Sequence, residues 1–241
     1  MRHTCALITA LFIGLGSGAA HSSQTLTGSA VVIDGDTLAI AGRQVRLLGV
    51  DAPEAAQVLA LSTGGSDFLG RGAALMLRSL VQDAKIRCNL SSAQDQRGVP
   101  LATCFSGTVD IGAQMVANGM AMTSPSYPSR YASIEMTAKR NKKGFWRDML
   151  EPPWEFRRRR IEEAKPNSPG GCVFKAVGLN REGDRILFPP WSPWYDRIRM
   201  DRGKGERWFC NEADAIAQGW MEPRWLMRSI VSGVYNPSSG R

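Results

Sequence analysis

Apolar residues along this chain fall into short runs separated by turn residues, a pattern typical of β-strands. The turn signals are Asp34-Gly35, Ala41-Gly42 and Gln96-Arg97-Gly98. Between and around these turns the pattern predicts five strands, at residues 27–33, 37–41, 44–50, 84–90 and 100–106.

The stretch between the third and fourth predicted strands has a helical period instead, with apolar side chains at Leu69, Ala73, Met76, Leu77 and Leu80. This spacing predicts a helix that turns one face to the core. Two further helices are predicted at residues 111–117, which end before Gly119, and at residues 130–141. The elements together indicate the α+β class, and the strand count suits a five-stranded OB-fold barrel with about three helices.

The composition changes beyond the predicted barrel. We assign residues 27–160 to the OB-fold domain, residues 161–171 to a Pro/Gly/Ser-rich linker, and residues 172–225 to a small C-terminal module. This module is rich in cysteine and tryptophan, and all seven tryptophans of the chain lie at or after Trp146. Their rings either fill a small core or stack against the bases of a nucleic acid.

The N-terminal residues 1–20 have the features of a signal peptide, namely Arg2 before an apolar run and the small residues Gly18-Ala19-Ala20 at its end. We therefore expect an exported protein, either periplasmic or secreted. The alternative is an uncleaved anchor or a buried N-terminal helix. No later run reaches the ~18 apolar residues of a membrane span, so no transmembrane segment is expected in the mature chain.

Cysteine usage agrees with export. Removal of Cys5 leaves four cysteines, and an even number in an exported chain indicates two disulfides. Cys88 and Cys104 lie in predicted strands on either side of one turn, which favours their pairing and leaves Cys172 with Cys210. The alternative is four buried free thiols.

Candidate chemistry is concentrated within 21 residues, which contain Asp34, Asp36, Arg46, Asp51 and Glu54. Asp-Gly between apolar runs is also a common hairpin turn, so Asp34-Gly35 alone has a purely structural interpretation. Carboxylates and a guanidinium clustered at strand ends indicate instead a site for a hard cation and a phosphodiester. The only histidines are His3 and His21, so a general base must be a carboxylate.

These residues resemble the signature of the staphylococcal nuclease (thermonuclease) family, approximately DGDT followed by R-L-x-x-[IV]-D-x-P-E. The chain reads Asp34-Gly35-Asp36-Thr37, then Arg46-Leu47, then Asp51-Ala52-Pro53-Glu54. The resemblance implies a calcium-dependent phosphodiesterase that hydrolyses DNA or RNA.

The resemblance also implies a role for each residue. Asp36, Asp51 and the main-chain carbonyl of Ala52 would bind calcium. Glu54 would be the general base and Arg46 would neutralise the phosphate. Asp34 would support the calcium ligands without touching the ion.

The second half of the family site differs in this chain. The family motif D-x-Y-G-R-x-L-A corresponds to residues 95–102, where Val99 replaces the arginine. Arg97 lies two residues earlier, which is about 6.6 Å along an extended chain and on the same face, so Arg97 would replace the missing arginine in part and give a weakened enzyme. In the alternative, Arg97 is a solvated turn residue and the chain is a catalytically degenerate binding protein, or an envelope or exopolysaccharide accessory protein.

Positive charge is concentrated in residues 139–160, where nine basic side chains face three acidic ones within a chain of net charge +8. A basic strip beside a phosphodiester site attracts nucleic acid, so we assign Arg157 and Arg158 to nucleic-acid binding. The family resemblance adds Tyr127 to this group, and the alternative for Tyr127 is a core or lid tyrosine. The alternative is a solvated charged face. No motif predicts a protein partner.

Overall fold

The computed structural model describes residues 24–60, 66–148, 151–179 and 184–222. The signal peptide predicted at residues 1–20 and the last predicted module residues, 223–225, lie outside these ranges. The protein is of the mixed α+β class. In the described ranges no helix is long and apolar enough to cross a membrane.

The strands in chain order are β1 (Thr25–Gly28), β2 (Ala30–Val32), β3 (Thr37–Ile40), β4 (Arg43–Leu47), β5 (Val50–Asp51), β6 (Val58–Ala60), β7 (Ser66–Phe68), β8 (Ile86–Gln94), β9 (Pro100–Ser106), β10 (Val109–Asp110), β11 (Met122–Thr123), β12 (Phe174–Leu179), β13 (Asp184–Phe188) and β14 (Arg207–Phe209). The α-helices are α1 (Leu69–Val81), α2 (Ile111–Ala117), α3 (Ala132–Arg140), α4 (Pro153–Ala164) and α5 (Glu212–Ala217).

The main sheet has the strand order β1-β8-β9-β4-β3-β2, with β10 paired to β9. All pairs are antiparallel except β4 with β9, where Arg46 lies opposite Leu101. The first predicted strand is divided in the structure, since β1 pairs with β8 whereas β2 pairs with β3. The third predicted strand is also divided, because Gly49 has a φ of 84° and turns the chain between β4 and β5.

Helix α1 confirms the predicted apolar face, because Ala73 and Leu77 are fully buried against the sheet. They pack in one core with Leu38, Val45 and Ile86 from the strands. Helix α2 begins at an N-cap, the Asp110 carboxylate, which accepts a hydrogen bond from the Ala113 amide at 3.1 Å. The helices predicted at residues 111–117 and 130–141 are thus present as α2 and α3.

The structure contains both predicted disulfides. Cys88 and Cys104 lie opposite each other on β8 and β9 and are fully buried in the main core. Cys172 and Cys210 form the second disulfide, which lies next to β12 and β14 in the chain.

Helices α4 and α5 have no counterpart in the sequence prediction. Helix α4 continues through Ala164, so it crosses the boundary predicted at residue 160 and includes the first part of the predicted linker. The remainder of that segment forms the 3-10 turns Lys165–Asn167 and Pro169–Gly171.

A second sheet, β13-β12-β14, follows these turns. It has its own core, which includes Ala176, Leu187 and Phe188 and also Ala164 from α4. Trp220 is part of this core, and Trp191 and Trp194 pack against it. We call residues 172–222 of this unit the C-terminal module.

Candidate active site

One cavity of about 670 Å³ lies between the main sheet, α4 and the C-terminal module. Its lining includes the sequence-predicted residues Asp34, Asp36, Arg46, Asp51, Ala52, Glu54, Arg97, Tyr127, Arg157 and Arg158. The structure therefore brings every predicted site residue of the first domain to one cavity. Pockets of this size are typical of small-ligand and substrate sites.

Asp36 lies at the bottom of the cavity, just before β3. Its Oδ2 accepts the Ala52 amide at 3.0 Å and its Oδ1 accepts the Thr37 hydroxyl at 3.0 Å. The Asp36 amide in turn donates to Asp34 Oδ1 at 2.9 Å. The chain is held close here, because a Cβ atom on Gly35 would lie 2.7 Å from the Ala52 Cβ. Packing thus requires a glycine at position 35, so this residue does more than form a turn.

Arg46 joins two of the carboxylates. It lies on β4 opposite Thr37, and its Nη2 donates to Asp36 Oδ2 at 2.8 Å and to Asp51 Oδ1 at 2.9 Å. Both aspartates are 4% exposed. Since buried charges are costly without partners, this guanidinium offsets the cost of burying Asp36 and Asp51 side by side.

Arg157 supplies a second guanidinium from α4, more than 100 positions along the chain. Its Nη1 donates to Asp51 Oδ1 at 3.0 Å and to Glu54 Oε1 at 2.6 Å. Its Nη2 donates to Asp51 Oδ2 at 2.6 Å. Asp51 therefore lies between two arginines, and Glu54 is held by one of them.

The pKa shifts of three carboxyl groups in the cavity differ, namely those of Asp36, Glu54 and Asp34. Burial raises the pKa of Asp36, but Arg46 and the Ala52 amide outweigh burial and leave this pKa below its ordinary value. Burial raises the pKa of Glu54 above its ordinary value in spite of Arg157. Burial and the neighbouring Asp36 raise the pKa of Asp34 to about 8. The site thus contains one carboxyl group with a lowered pKa, Asp36, and two that bind a proton more readily, Glu54 and Asp34.

Arg97 also lines the cavity, but its contacts are with carboxylates other than Asp36, Asp51 and Glu54. Its Nε donates to Asp95 Oδ2 at 3.0 Å, and its Nη1 lies 3.8 Å from Glu222. The segment is a turn, in which the Arg97 and Val99 amides both donate to Asp95 Oδ1 at 2.9 Å. Arg97 was predicted to replace the family arginine missing at Val99 because residues two apart share a face of an extended chain. The chain is not extended in this turn, so that spacing does not apply.

The four consecutive arginines of α4 point in different directions. Arg157 binds two carboxylates in the cavity. Arg158 also lines the cavity, but it is 74% exposed and pairs with Glu155. Arg159 pairs with Glu151 and Glu163, and Arg160 reaches the C-terminal module. Each of the four arginines is therefore paired with at least one carboxylate.

The C-terminal module adds residues to the cavity that the sequence did not predict. They include Trp191, Glu212 and Glu222. Burial and the nearby Glu222 raise the pKa of Glu212 to about 8. No spacing in the sequence links these residues to the first domain, because only the folded arrangement brings the module to the cavity.

The donor set fits calcium in its chemistry, since hard carboxylate oxygens are the ligands this ion takes. Among the described residues, however, no group of three or more His, Cys, Asp or Glu side chains is placed to hold a metal ion. The oxygens of Asp51 are instead turned to Arg46 and Arg157. Calcium binding at Asp51 would therefore compete with Arg46 and Arg157 for this carboxylate.

Comparisons with known proteins identify the family of the chain. Residues 44–148 match the family described as staphylococcal nuclease homologue, and the chain belongs to this family. A relative is the succinoglycan biosynthesis protein ExoI of Rhizobium meliloti (strain 1021). It is 35% identical over 150 residues, which is 61% of this chain and 76% of the relative.

Proposed function

We propose that this protein is a calcium-dependent phosphodiesterase that hydrolyses DNA or RNA. The observation that carries the proposal is the convergence of Asp36, Asp51 and Glu54 on Arg46 and Arg157 in one cavity. Carboxylates can bind the cation and act as a general base, and each guanidinium group can bind two phosphate oxygens at once.

In this proposal Arg46 binds and orients the phosphate, and Glu54 takes a proton from the attacking water. The water oxygen forms the new bond to phosphorus, the bond to the leaving oxygen breaks, and that oxygen takes a proton from solvent. A raised pKa suits Glu54 to this task, because a base is most effective when its pKa approaches the working pH.

Calcium would be held by Asp36, Asp51 and the Ala52 carbonyl and would supply positive charge to the phosphate oxygens. Asp34 would keep Asp36 in place through the hydrogen bond to its amide. Tyr127 and Arg158, which line the same cavity, would contact the nucleic acid.

Two finer features of the fold and location belong to the same proposal. The order of the main sheet, with β4 and β9 in parallel contact, supports a five-stranded OB-fold barrel built on the longer strands. The two disulfides support export to the periplasm or the medium.

The experiment is a hydrolysis assay of the purified protein on single-stranded and duplex DNA and RNA, with calcium and with excess chelator. We expect hydrolysis with calcium only. The matched variant is Glu54→Gln, which keeps the side-chain shape and removes the base. We expect it to lower the rate by about 10² to 10⁴. Equal rates for both proteins would refute the role of Glu54.

A second candidate function is a nuclease-derived binding or exopolysaccharide accessory protein without turnover. It is favoured by the engagement of Asp51 and Glu54 with Arg157 and by the name of the relative, a succinoglycan biosynthesis protein. Nucleic-acid or glycan binding without hydrolysis under any metal condition would support this candidate and exclude the first.

A further inference from the structure

Helix α4 connects the two parts of the protein. At its N-terminal end Trp154 packs against the cluster of Leu69, Met122 and Phe145 in the first domain. Just before the helix, the Glu151 carbonyl accepts a hydrogen bond from Gln57 Nε2 at 2.6 Å. The start of α4 is therefore fixed to the elements that carry Asp51 and Glu54.

The C-terminal end of α4 is fixed to the module. Arg160 Nε donates to the Pro190 carbonyl at 2.9 Å, and its Nη2 donates to Asp196 at 2.9 Å. Ala164 is in the module core, and Ile161 packs against that core. Arg157 lies between these two attachments, so the first domain and the module together hold the part of α4 that carries Arg157.

Arg157 has the geometry of a ligand-binding guanidinium. Its side chain keeps 22% of its surface exposed and lines the cavity, so an entering anion can reach it. Its two terminal nitrogens hold two carboxylates at 2.6 to 3.0 Å. A guanidinium offers the same paired donors to two phosphate oxygens.

We propose that Arg157 is a phosphate-binding residue of this cavity and that the C-terminal module is the element that positions it. The ligand is the phosphodiester of a nucleic acid, so the inference depends on the proposed function for the location of the substrate. Without phosphate, Arg157 neutralises Asp51 and Glu54. When phosphate enters, Arg157 pairs with it and frees Asp51 for the cation.

This exchange couples the two ligands. An ion at Asp51 displaces Arg157, which is then available for phosphate, and the reverse also holds because linkage between two binding sites is reciprocal. Arg157→Gln, which removes the competing cation, should therefore bind calcium more tightly when no nucleic acid is present. It should bind nucleic acid more weakly.

The first test measures binding of a labelled single-stranded oligonucleotide by fluorescence anisotropy in excess chelator, with the strand checked for cleavage. We expect Arg157→Gln to bind about tenfold more weakly than the unchanged protein, the scale of one charged hydrogen-bonding group. Arg157→Lys should lie between them. Arg159→Gln is the control on the same helix, since Arg159 pairs with Glu151 and Glu163 outside the cavity, and it should bind within about twofold of the unchanged protein.

The second test addresses the module. Arg160→Gln removes the contacts of α4 with Pro190 and Asp196 and should weaken oligonucleotide binding by about threefold. In the Arg157→Gln background the same change should have no further effect, because residues that act through one another are not additive. A merely structural role of Arg160 would give additive losses and would overturn the positioning role.

The third test is calorimetric titration with calcium alone. Tighter binding by Arg157→Gln together with weaker oligonucleotide binding is the expected result, and unchanged affinity for both ligands would overturn the inference. If Arg157→Gln does not fold, Arg157→Lys and Arg160→Gln test the same binding. The two proposals can also fail separately. If the unchanged protein binds the oligonucleotide but never hydrolyses it, and Arg157→Gln binds it more weakly, the proposed function is refuted and this inference stands.

Discussion

The two sides of the cavity differ in how the chain builds them. One side contains Asp36, Arg46, Asp51 and Glu54, which come from consecutive elements around β3, β4 and β5. The other side contains Arg157, from α4, and residues of the C-terminal module. The first side is a local motif whose spacing fixes its geometry, whereas the second side exists only when α4 and the module are in place.

The largest effect on stability is expected on the first side. Arg46→Gln leaves Asp36 and Asp51 buried without the cation between them, and breaking such a buried pair costs about 3 to 5 kcal/mol. Urea unfolding measures this loss. Arg43→Gln is the control, because Arg43 is exposed at the start of the same strand. A loss below ~1 kcal/mol for Arg46→Gln would show that the two aspartates do not need this cation.

The disulfides provide a comparison of the two parts of the protein. We expect Cys172→Ser with Cys210→Ser to cost about 2 to 4 kcal/mol of stability and also to weaken oligonucleotide binding, because the loosened module no longer holds α4. Cys88→Ser with Cys104→Ser, within the main sheet, should lower stability and leave binding by the folded fraction unchanged. Urea unfolding and anisotropy distinguish the two variants. Equal effects on binding would contradict the separate role of the module.

A smaller, pH-dependent effect is expected at Glu212 on the module side. The pKa of this group is raised from 4.5 to about 8, by burial and by Glu222, with Glu54 and Asp95 adding to the shift and Arg97 opposing it. Between those pH values the unfolded chain releases a proton that the folded protein retains. The stability from this group is therefore present at low pH and is lost as pH rises towards 8.

Glu212→Gln keeps the neutral form at every pH, so its advantage in stability over the unchanged protein should grow from pH 5 to pH 8. Unfolding midpoints across this range measure the difference. Asp214→Asn, an exposed position on the same helix, is the control. A difference that does not vary with pH would contradict the raised pKa.

The sequence predicted the first side well because its features are local. Short apolar runs between turn residues predict the main strands, and the carboxylates at their ends line one cavity in the structure. The helical face of α1 was equally clear, since Ala73 and Leu77 repeat at helical spacing and are buried.

Helix α4 could not be predicted in the same way. Its apolar residues belong to two different cores, because Trp154 packs in the first domain and Ala164 in the module. No single apolar stripe therefore runs along the helix. The arginine run predicts nucleic-acid binding by Arg157 and Arg158 or a solvated charged face, and only the tertiary arrangement distinguishes Arg157 from the other arginines. The prediction for Arg97 assumed an extended chain, but Gly98, with a φ of 78°, belongs to a turn there.

The two sides of the cavity offer different candidates for the second phosphate-binding arginine beside Arg46, namely Arg157 and Arg97. The direct measurement is the hydrolysis rate of one oligonucleotide at saturating calcium by Arg157→Gln and by Arg97→Gln, with thermal unfolding to confirm that both variants are folded. We predict that Arg157→Gln lowers the rate by about 100-fold, the scale of one lost transition-state donor. Arg97→Gln, which breaks only the pairs with Asp95 and Glu222, should stay within about threefold. The reverse order, with Arg97→Gln giving the large loss, would contradict the account.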